Sequence, residues 1–287
     1  MTQPPSATDT PEANPPTEAT APAIPHATGR SRVPNALTAL RYRDFRYLTF
    51  GTGFAIASYW MILIAQGWLV LELTDSAFWV AASSSAMAIP SLIFGPIAGV
   101  IADRLYRKTL LITTRSIISL LGIIEGTLIL ADLIDVWQIL VFAFLTGTAY
   151  AMDIPARQSL IPEVVPEEVV PNGVAINVSI FSIAAITGPL AGTATLATVG
   201  AGGCFLANAA GNMALVAAIA AIKIPRRYRT TDWNIVGDFV SSLRFVRATP
   251  VVLLLLLISL LGMIGTAPWR ELAPVFVRDV FNADEAG

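Results

Sequence analysis

Long uncharged runs dominate the chain and define the elements that it predicts. The runs cover residues 47–71, 76–102, 116–131, 136–152, 169–222 and 248–269, and only Glu125 interrupts the third. A hydrocarbon core about 30 Å thick is crossed by about 20 mostly apolar helical residues. The run at 169–222 is long enough for two crossings, and the stretch GAGG at 200–203 is the natural turn between them. The pattern therefore predicts seven membrane helices, called spans one to seven below.

Helices fit these runs better than the strands of a membrane barrel. A barrel strand is about ten residues long and alternates in polarity, whereas stretches such as VVLLLLLISLLGMIG do not alternate. Composition agrees, because 55% of the residues are hydrophobic and only 13% are charged, against roughly a quarter charged in soluble domains. The predicted fold class is an all-α polytopic membrane protein.

Basic residues predict the orientation of the helices. Sixteen of the 18 Lys and Arg residues precede span one or lie at the second, fourth and sixth loops, and the other two, Arg270 and Arg278, follow span seven. Cytoplasmic loops carry the excess of basic residues. We therefore expect a multi-pass protein of the plasma (inner) membrane with a cytoplasmic N-terminus.

The remaining composition argues against catalysis. The single His26 and the single Cys204 exclude a histidine-based catalytic set and a metal site with histidine ligands. No nucleophile and base pair or nucleotide-binding loop is evident, which disfavours a membrane-embedded enzyme. We expect no cofactor, no metal and no nucleic-acid partner.

The chain divides into four predicted regions. Residues 1–35 hold eight prolines and little to bury, which indicates a disordered cytoplasmic tail. Residues 36–224 form a six-helix transmembrane bundle, and 225–250 form a cytoplasmic linker with an amphipathic helix. Residues 251–287 hold span seven and the start of a second half. An odd number of spans ends the chain on the outer side, so the sequence looks truncated at its C-terminus.

Charges cluster where the second uncharged run ends, in GPIAGVIADRLYRKTLL at 95–111. Together with six helices, a long linker and the start of a second set, this stretch resembles the signature loop of the major facilitator superfamily, G-x-x-x-D-R/K-x-G-R/K-K. The matching positions are Gly99, Asp103, Arg104, Arg107 and Lys108, and Tyr106 replaces the usual second glycine. Further stretches resemble the branch that holds enterobactin exporters and macrolide-efflux-type proteins: WLVLELTDSAFWV, AMDIPARQSLIPEVVP and GPLAG.

Two interpretations of the charged cluster compete. The four charges could simply follow the cytoplasmic excess of basic residues, but that rule does not require Asp103. If the second helix continues to the membrane edge, Asp103 and Arg107 share a face, as Asp153 and Arg157 do at the end of span four. The resemblance implies that such residues form a gating latch that locks the two halves in the outward-open state.

The stretch GPLAG in span five resembles the antiporter signature of the same superfamily through Gly188, Pro189 and Gly192. Small residues allow close helix approach and proline bends a helix, so the stretch could help a cavity open on one side. Ordinary small-residue packing explains the same residues equally well.

Glu125 is the one ionisable residue well inside a predicted span. Such carboxylates are functional candidates, because an unpaired charge in a bilayer is costly. Glu125 is therefore a candidate for proton coupling. The alternatives are that it is simply protonated in place or reaches the outer interface.

Polar and aromatic residues of spans one and four are the candidate lining of a substrate cavity: Tyr59, Gln66, Thr146 and Tyr150. Each pair lies on one helix face by its spacing. Aromatics with few fixed charges suit a bulky amphipathic solute better than a small ion, although each residue could equally make a contact between helices.

The resemblance implies a secondary transporter, and we expect a proton-driven exporter of a siderophore or a hydrophobic drug that works by alternating access. Its partners would be an amphipathic small molecule, protons and the lipid bilayer. Two alternatives remain: a truncated membrane protein that does not transport, and an importer of the same superfamily.

Overall fold

The computed structural model describes residues 37–222 together with 237, 244, 246–255, 257, 258 and 261, without the side chains at 96, 97, 100 and 102–104. Within these residues the chain is helical and contains no strand. A 3-10 turn, Thr38–Arg41, precedes the first long helix, and a second, Glu167–Val169, precedes the last. The α-helices are α1 (Arg43–Thr74), α2 (Ala77–Arg104), α3 (Arg107–Leu130), α4 (Val136–Gln158), α5 (Ile161–Val164) and α6 (Val170–Ala221).

Five of these helices are long and apolar enough to cross a membrane. This confirms the predicted all-α polytopic fold class. The helices α1 to α4 correspond to spans one to four, whereas α5 is a single short turn on the way to span five.

The long helix α6 contains two predicted spans. Gly200 interrupts it with a φ of 78° and a ψ of 179°, a conformation open essentially to glycine alone. The chain folds back there. The contact that shows this is between the Cys204 thiol and the carbonyl oxygen of Gly192, which lie 3.6 Å apart. We call residues 170–199 and 201–221 the first and second arms of α6. The break falls at the first residue of the predicted GAGG turn.

Aspartates shape the short turns at the opposite end of the bundle from the charged loop. Asp75 ends α1 with a φ of 49°, and Asp132 follows α3 with a φ of 54°. Aspartate tolerates this left-handed region better than most residues. Asp135 caps α4 through a reciprocal capping box with Gln138. These turns keep consecutive helices antiparallel and adjacent.

The connection between α2 and α3 corrects one expectation. The helix α2 ends at Arg104, Leu105 and Tyr106 are extended, and α3 begins at Arg107. Asp103 and Arg107 therefore do not share a face of one continuous helix, and that premise was wrong. The reason is topological, since the chain must reverse between two antiparallel helices.

Two apolar clusters form the core of the bundle. One lies towards the charged loops and includes Phe45, Leu111, Leu160 and Ile219. The other lies towards the aspartate turns and includes Ile62, Val80, Ile139, Cys204 and Phe205. Buried polar side chains of α1, α3, α4 and the second arm lie between them in sequence, and these are the starting point of the candidate site.

Three predicted regions fall largely outside the described residues. They are the tail at 1–35, the linker at 225–250 and most of the segment at 251–287. Residues 250–255 are helical, at the start of span seven.

Candidate functional site

A two-point ion pair joins α3 and α4 inside the bundle. The Arg115 Nε donates to the Asp153 Oδ1 at 2.7 Å, and Nη2 donates to Oδ2. Only 2% of Arg115 and none of Asp153 is exposed. A planar guanidinium that meets a carboxylate through two parallel hydrogen bonds is the strongest geometry available to such a pair. It compensates two charges that would be costly to bury singly.

Amide side chains extend this pair across the bundle. The Arg115 Nη1 donates to the Asn212 Oδ1 at 2.8 Å. The Asn212 Nδ2 donates to the Asn208 carbonyl at 2.9 Å, and the Asn208 Nδ2 donates to the Ser58 hydroxyl at 3.3 Å. A continuous chain of polar contacts therefore links α1, α3, α4 and the second arm of α6.

Arg157 is the loosely held member of this group. Its Nε lies 3.6 Å from the Asp153 Oδ2, an ion pair but too long for a hydrogen bond. That nitrogen has no hydrogen-bond partner among the described residues, although 11% of the side chain is exposed. The predicted pairing of Asp153 with Arg157 is thus present but secondary to Arg115. Two guanidiniums and one carboxylate leave a net positive charge, and we call Arg115, Asp153 and Arg157 the charge network.

Sequence reasoning missed Arg115 as a site residue. It lies near the beginning of α3, so in the sequence it groups with the basic residues of the second loop, which were used to predict orientation. The available signal was helical spacing. Arg115, Ser119 and Gly122 recur at intervals of three to four residues, on the face that the structure buries.

The basic residues of the signature loop hold neighbouring segments together. The Arg107 Nη1 donates to the Glu163 Oε1 at 2.5 Å and to the Ser159 carbonyl at 3.2 Å. The Lys108 Nζ donates to the carbonyls of Ala220 and Ile222, at the end of the second arm. The side chains of Asp103 and Arg104 lie outside the described residues. A methyl group added at Gly99 would meet no described atom within 4 Å.

The small residues of GPLAG pack directly on α1. A Cβ at Gly188 would lie 2.5 Å from the Ala57 carbonyl oxygen, and one at Gly192 would lie 3.0 Å from the Met61 Cα. Pro189 lies between them within the first arm. The structure thus brings Gly188 and Gly192 to one close helix contact, four residues apart on both helices.

Glu125 lies on the buried face of α3 and is 5% exposed. Its Oε1 has no hydrogen-bond partner in the described part of the chain. On the same face, Gly122 and Gly126 approach the carbonyls of Phe205 and Gly202 in the second arm. Glu125 therefore faces the protein interior rather than the outer interface.

Four aromatic rings form a row across α1, α4 and the first arm of α6. Ring centroids lie 5.2 Å apart for Tyr150 and Tyr59, 5.9 Å for Tyr59 and Trp60, and 6.2 Å for Trp60 and Phe181. All three contacts are edge-to-face. Phe181 is 48% exposed and the other three are half-buried. We call these four residues the aromatic row.

The row contacts the charge network, because the Arg115 guanidinium carbon lies 5.3 Å from the centre of the Tyr150 ring. Two of the predicted cavity residues, Tyr59 and Tyr150, thus belong to one surface. The other two, Gln66 and Thr146, are buried, at 6% and 8% exposed. Sequence reasoning did not include Trp60 and Phe181.

Hydrophobic membrane-length helices, a charge network buried among them and a half-buried aromatic row are features of a polytopic membrane transporter. Residues 34–286 match the sequence model of the transmembrane secretion effector family. The chain belongs to this family of the major facilitator superfamily, whose members are transporters rather than enzymes.

Curated relatives carry the names of efflux proteins. The chain is 25% identical over 214 residues to macrolide efflux protein A of Streptococcus pyogenes, covering 74% of this chain and 53% of the relative. It is 24% identical to a protein of the same name from Enterococcus faecalis, covering 68% and 61%. It is 26% identical to multidrug efflux pump Tap of Mycolicibacterium fortuitum, covering 85% and 61%. The chain thus spans about half to three fifths of the length of these relatives.

Proposed function

We propose that this protein is a secondary active exporter of bulky amphipathic molecules, and that residues 36–224 form its N-terminal six-helix half. The observation that carries the proposal is the half-buried aromatic row, backed by charges buried within a membrane bundle. Ionisable residues inside a membrane bundle are functional candidates by default, because a charge is costly to bury there. The efflux names of the relatives support the same direction of transport.

Alternating access supplies the mechanism. In this superfamily two six-helix halves rock about a site near the middle of the membrane. The contacts from Arg115 to Asp153, Asn212, Asn208 and Ser58 tie four spans together. Such ties favour movement of this half as one body against the other.

The proposed gate lies at the predicted cytoplasmic end of the helices. We assign the latch to Asp103, Arg104, Arg107 and Lys108 of the signature loop together with Asp153 and Arg157 of α4. The contacts of Arg107 and Lys108 with α5 and α6 support this, because they couple the loop to two neighbouring segments. Cysteine pairs across the cytoplasmic ends of the two halves should crosslink differently when Asp103→Asn is introduced. Unchanged crosslinking would contradict the latch.

The substrate class follows from the row. Its rings offer a broad apolar surface with polar edges, which suits a hydrophobic drug or the aromatic part of a siderophore. Protons are the proposed coupling ion, with Glu125 as the proton carrier on α3. The proposed location is the plasma membrane, with the N-terminus in the cytoplasm.

Drug accumulation tests the proposal. Cells that lack their own efflux pumps and express the protein should accumulate less of a fluorescent dye or a macrolide than cells with the empty vector. Tyr59→Ala should restore accumulation, whereas Phe78→Ala should not, because Phe78 is 71% exposed and lies outside the row. Equal accumulation with and without the protein, at matched membrane expression, would overturn the proposal.

A further inference from the structure

The charge next to the aromatic row sets a preference among amphipathic ligands. A row of aromatic rings alone would accept aromatic molecules of any charge and would favour cations, which bind the faces of aromatic rings. In this protein the Arg115 guanidinium lies over the Tyr150 ring, 5.3 Å from its centre. The protein's own cation therefore occupies one face of that ring, a position that a ligand cation would otherwise take.

The cluster behind this ring is positive overall. Asp153 is shared between Arg115, which it binds at two points, and Arg157, which it meets only at 3.6 Å. The neighbouring cytoplasmic charges Arg107 and Glu163 pair with each other. Within the charge network, Arg157 is thus the cation that lacks a two-point partner.

Position brings this charge within reach of the row. Tyr150 and Arg157 lie seven residues apart on α4, which is two turns and about 10 Å along one face. In the partly buried setting of a protein, with an effective dielectric constant of about 20, one unit charge at about 10 Å changes affinity by roughly tenfold. The sign of the effect favours an anion on the ligand.

We propose that the aromatic row and the charge network form a binding site for aromatic acids, with Arg157 as the residue that selects ligand charge. The site accepts aromatic molecules that carry a carboxylate or an acidic phenol and disfavours organic cations of the same size. This inference rests on the proposed export function, whose substrate class it narrows.

A pair of xanthene dyes tests it, because fluorescein and rhodamine 123 share one ring system and differ in charge. Fluorescence polarisation of each dye with the purified protein in detergent gives two dissociation constants. We expect fluorescein to bind at least about tenfold more tightly than rhodamine 123. A preference for rhodamine 123 would overturn the proposal without any variant.

Substitutions then assign the preference to Arg157. Arg157→Gln and the similarly shaped Arg157→Met should each lower the ratio of the two affinities by about tenfold, whereas Arg157→Lys should keep it. Arg46→Gln is the matched control, since it removes an equal charge from an exposed position on α1. Size-exclusion profiles establish that each variant is folded. A ratio that Arg157→Gln or Arg157→Met leaves unchanged would overturn the assignment.

Transport in everted vesicles separates this inference from the proposed function. If the protein exports a macrolide but binds neither dye, the aromatic-acid site is wrong and the export function stands. If the dyes bind with the expected charge preference but no substrate moves, the site stands and the export function is wrong.

Discussion

Arg115 on α3 and Asp153 on α4 hold each other through two hydrogen bonds in a part of the bundle where neither is more than 2% exposed. The two residues lie 38 positions apart in sequence, on consecutive antiparallel helices. The hydrogen bonds through Asn212, Asn208 and Ser58 all connect to this pair, and so does the ion pair of Arg157. Stability and movement of the bundle should therefore depend on it.

Removal of the arginine should destabilise the protein strongly. Arg115→Met leaves the Asp153 carboxylate buried with only the 3.6 Å contact to Arg157, and breaking a buried pair costs about 3–5 kcal/mol. Thermal unfolding of the purified protein in detergent measures the effect.

The paired variant provides the control for that measurement. Arg115→Met combined with Asp153→Leu removes both charges of the pair and should recover part of the loss, because no uncompensated carboxylate remains. The recovery should be incomplete, because Arg157 loses its contact with Asp153. If the double variant unfolds at the same temperature as Arg115→Met alone, the two residues do not stabilise each other as described.

The glycine of GPLAG should be required for packing. Gly188→Ala places a methyl carbon 2.5 Å from the Ala57 carbonyl oxygen, so α1 and the first arm must move apart. We expect a loss of about 1–3 kcal/mol in the free energy of unfolding. Gly95→Ala is the control, since none of the described atoms lies within 4 Å of its added carbon. Equal stability of the two variants would contradict the close contact.

The turn between the arms of α6 should require glycine. Gly200→Ala forces a side chain into a backbone conformation with a φ of 78°, at an expected cost of about 1–3 kcal/mol. Gly99→Ala is a useful comparison, because that residue is helical and its added methyl contacts none of the described residues. If Gly99→Ala has a lower denaturation midpoint than Gly200→Ala, and is therefore the less stable variant, the prediction is contradicted.

Proton coupling through Glu125 predicts a specific defect. Glu125→Gln keeps the shape of the side chain but cannot exchange a proton, so transport driven by a pH gradient should fall at least tenfold while ligand binding persists. Transport in everted vesicles, followed with and without the gradient, measures this. Glu72→Gln is the control, because Glu72 is exposed near the end of α1. Transport by Glu125→Gln that responds normally to the gradient would exclude this carboxyl as the carrier.

Several site residues were predictable from local patterns. The uncharged runs located α1 to α4 and both arms of α6, because a bilayer sets the length of the apolar segment that crosses it. The GAGG turn was readable because few residues other than glycine tolerate the required backbone. Asp153, Arg157, Gly188 and Gly192 stood out by their spacing, although their roles stay predictions.

Other parts of the site needed contacts between distant segments. In the sequence, Arg115 looks like any other basic residue near a loop. Only the position of α4 makes it an interior partner of Asp153. Trp60 and Phe181 resemble ordinary lipid-facing aromatics until α1 and the first arm bring their rings to 6.2 Å. The premise that Asp103 and Arg107 lie on one continuous helix was wrong, because the position of a helix end depends on how the next helix packs.

The sequence alone determined the membrane class, the approximate limits of the long helices among the described residues and the positions of the turns between them. These properties depend on the transfer of each segment from water to lipid and on local backbone preferences, both of which are encoded within about 20 consecutive residues. The tertiary structure decided which charges meet, which rings form a row and which glycines touch another helix. Those relationships depend on the rotation and register of packed helices, so they become visible only when distant segments are placed together.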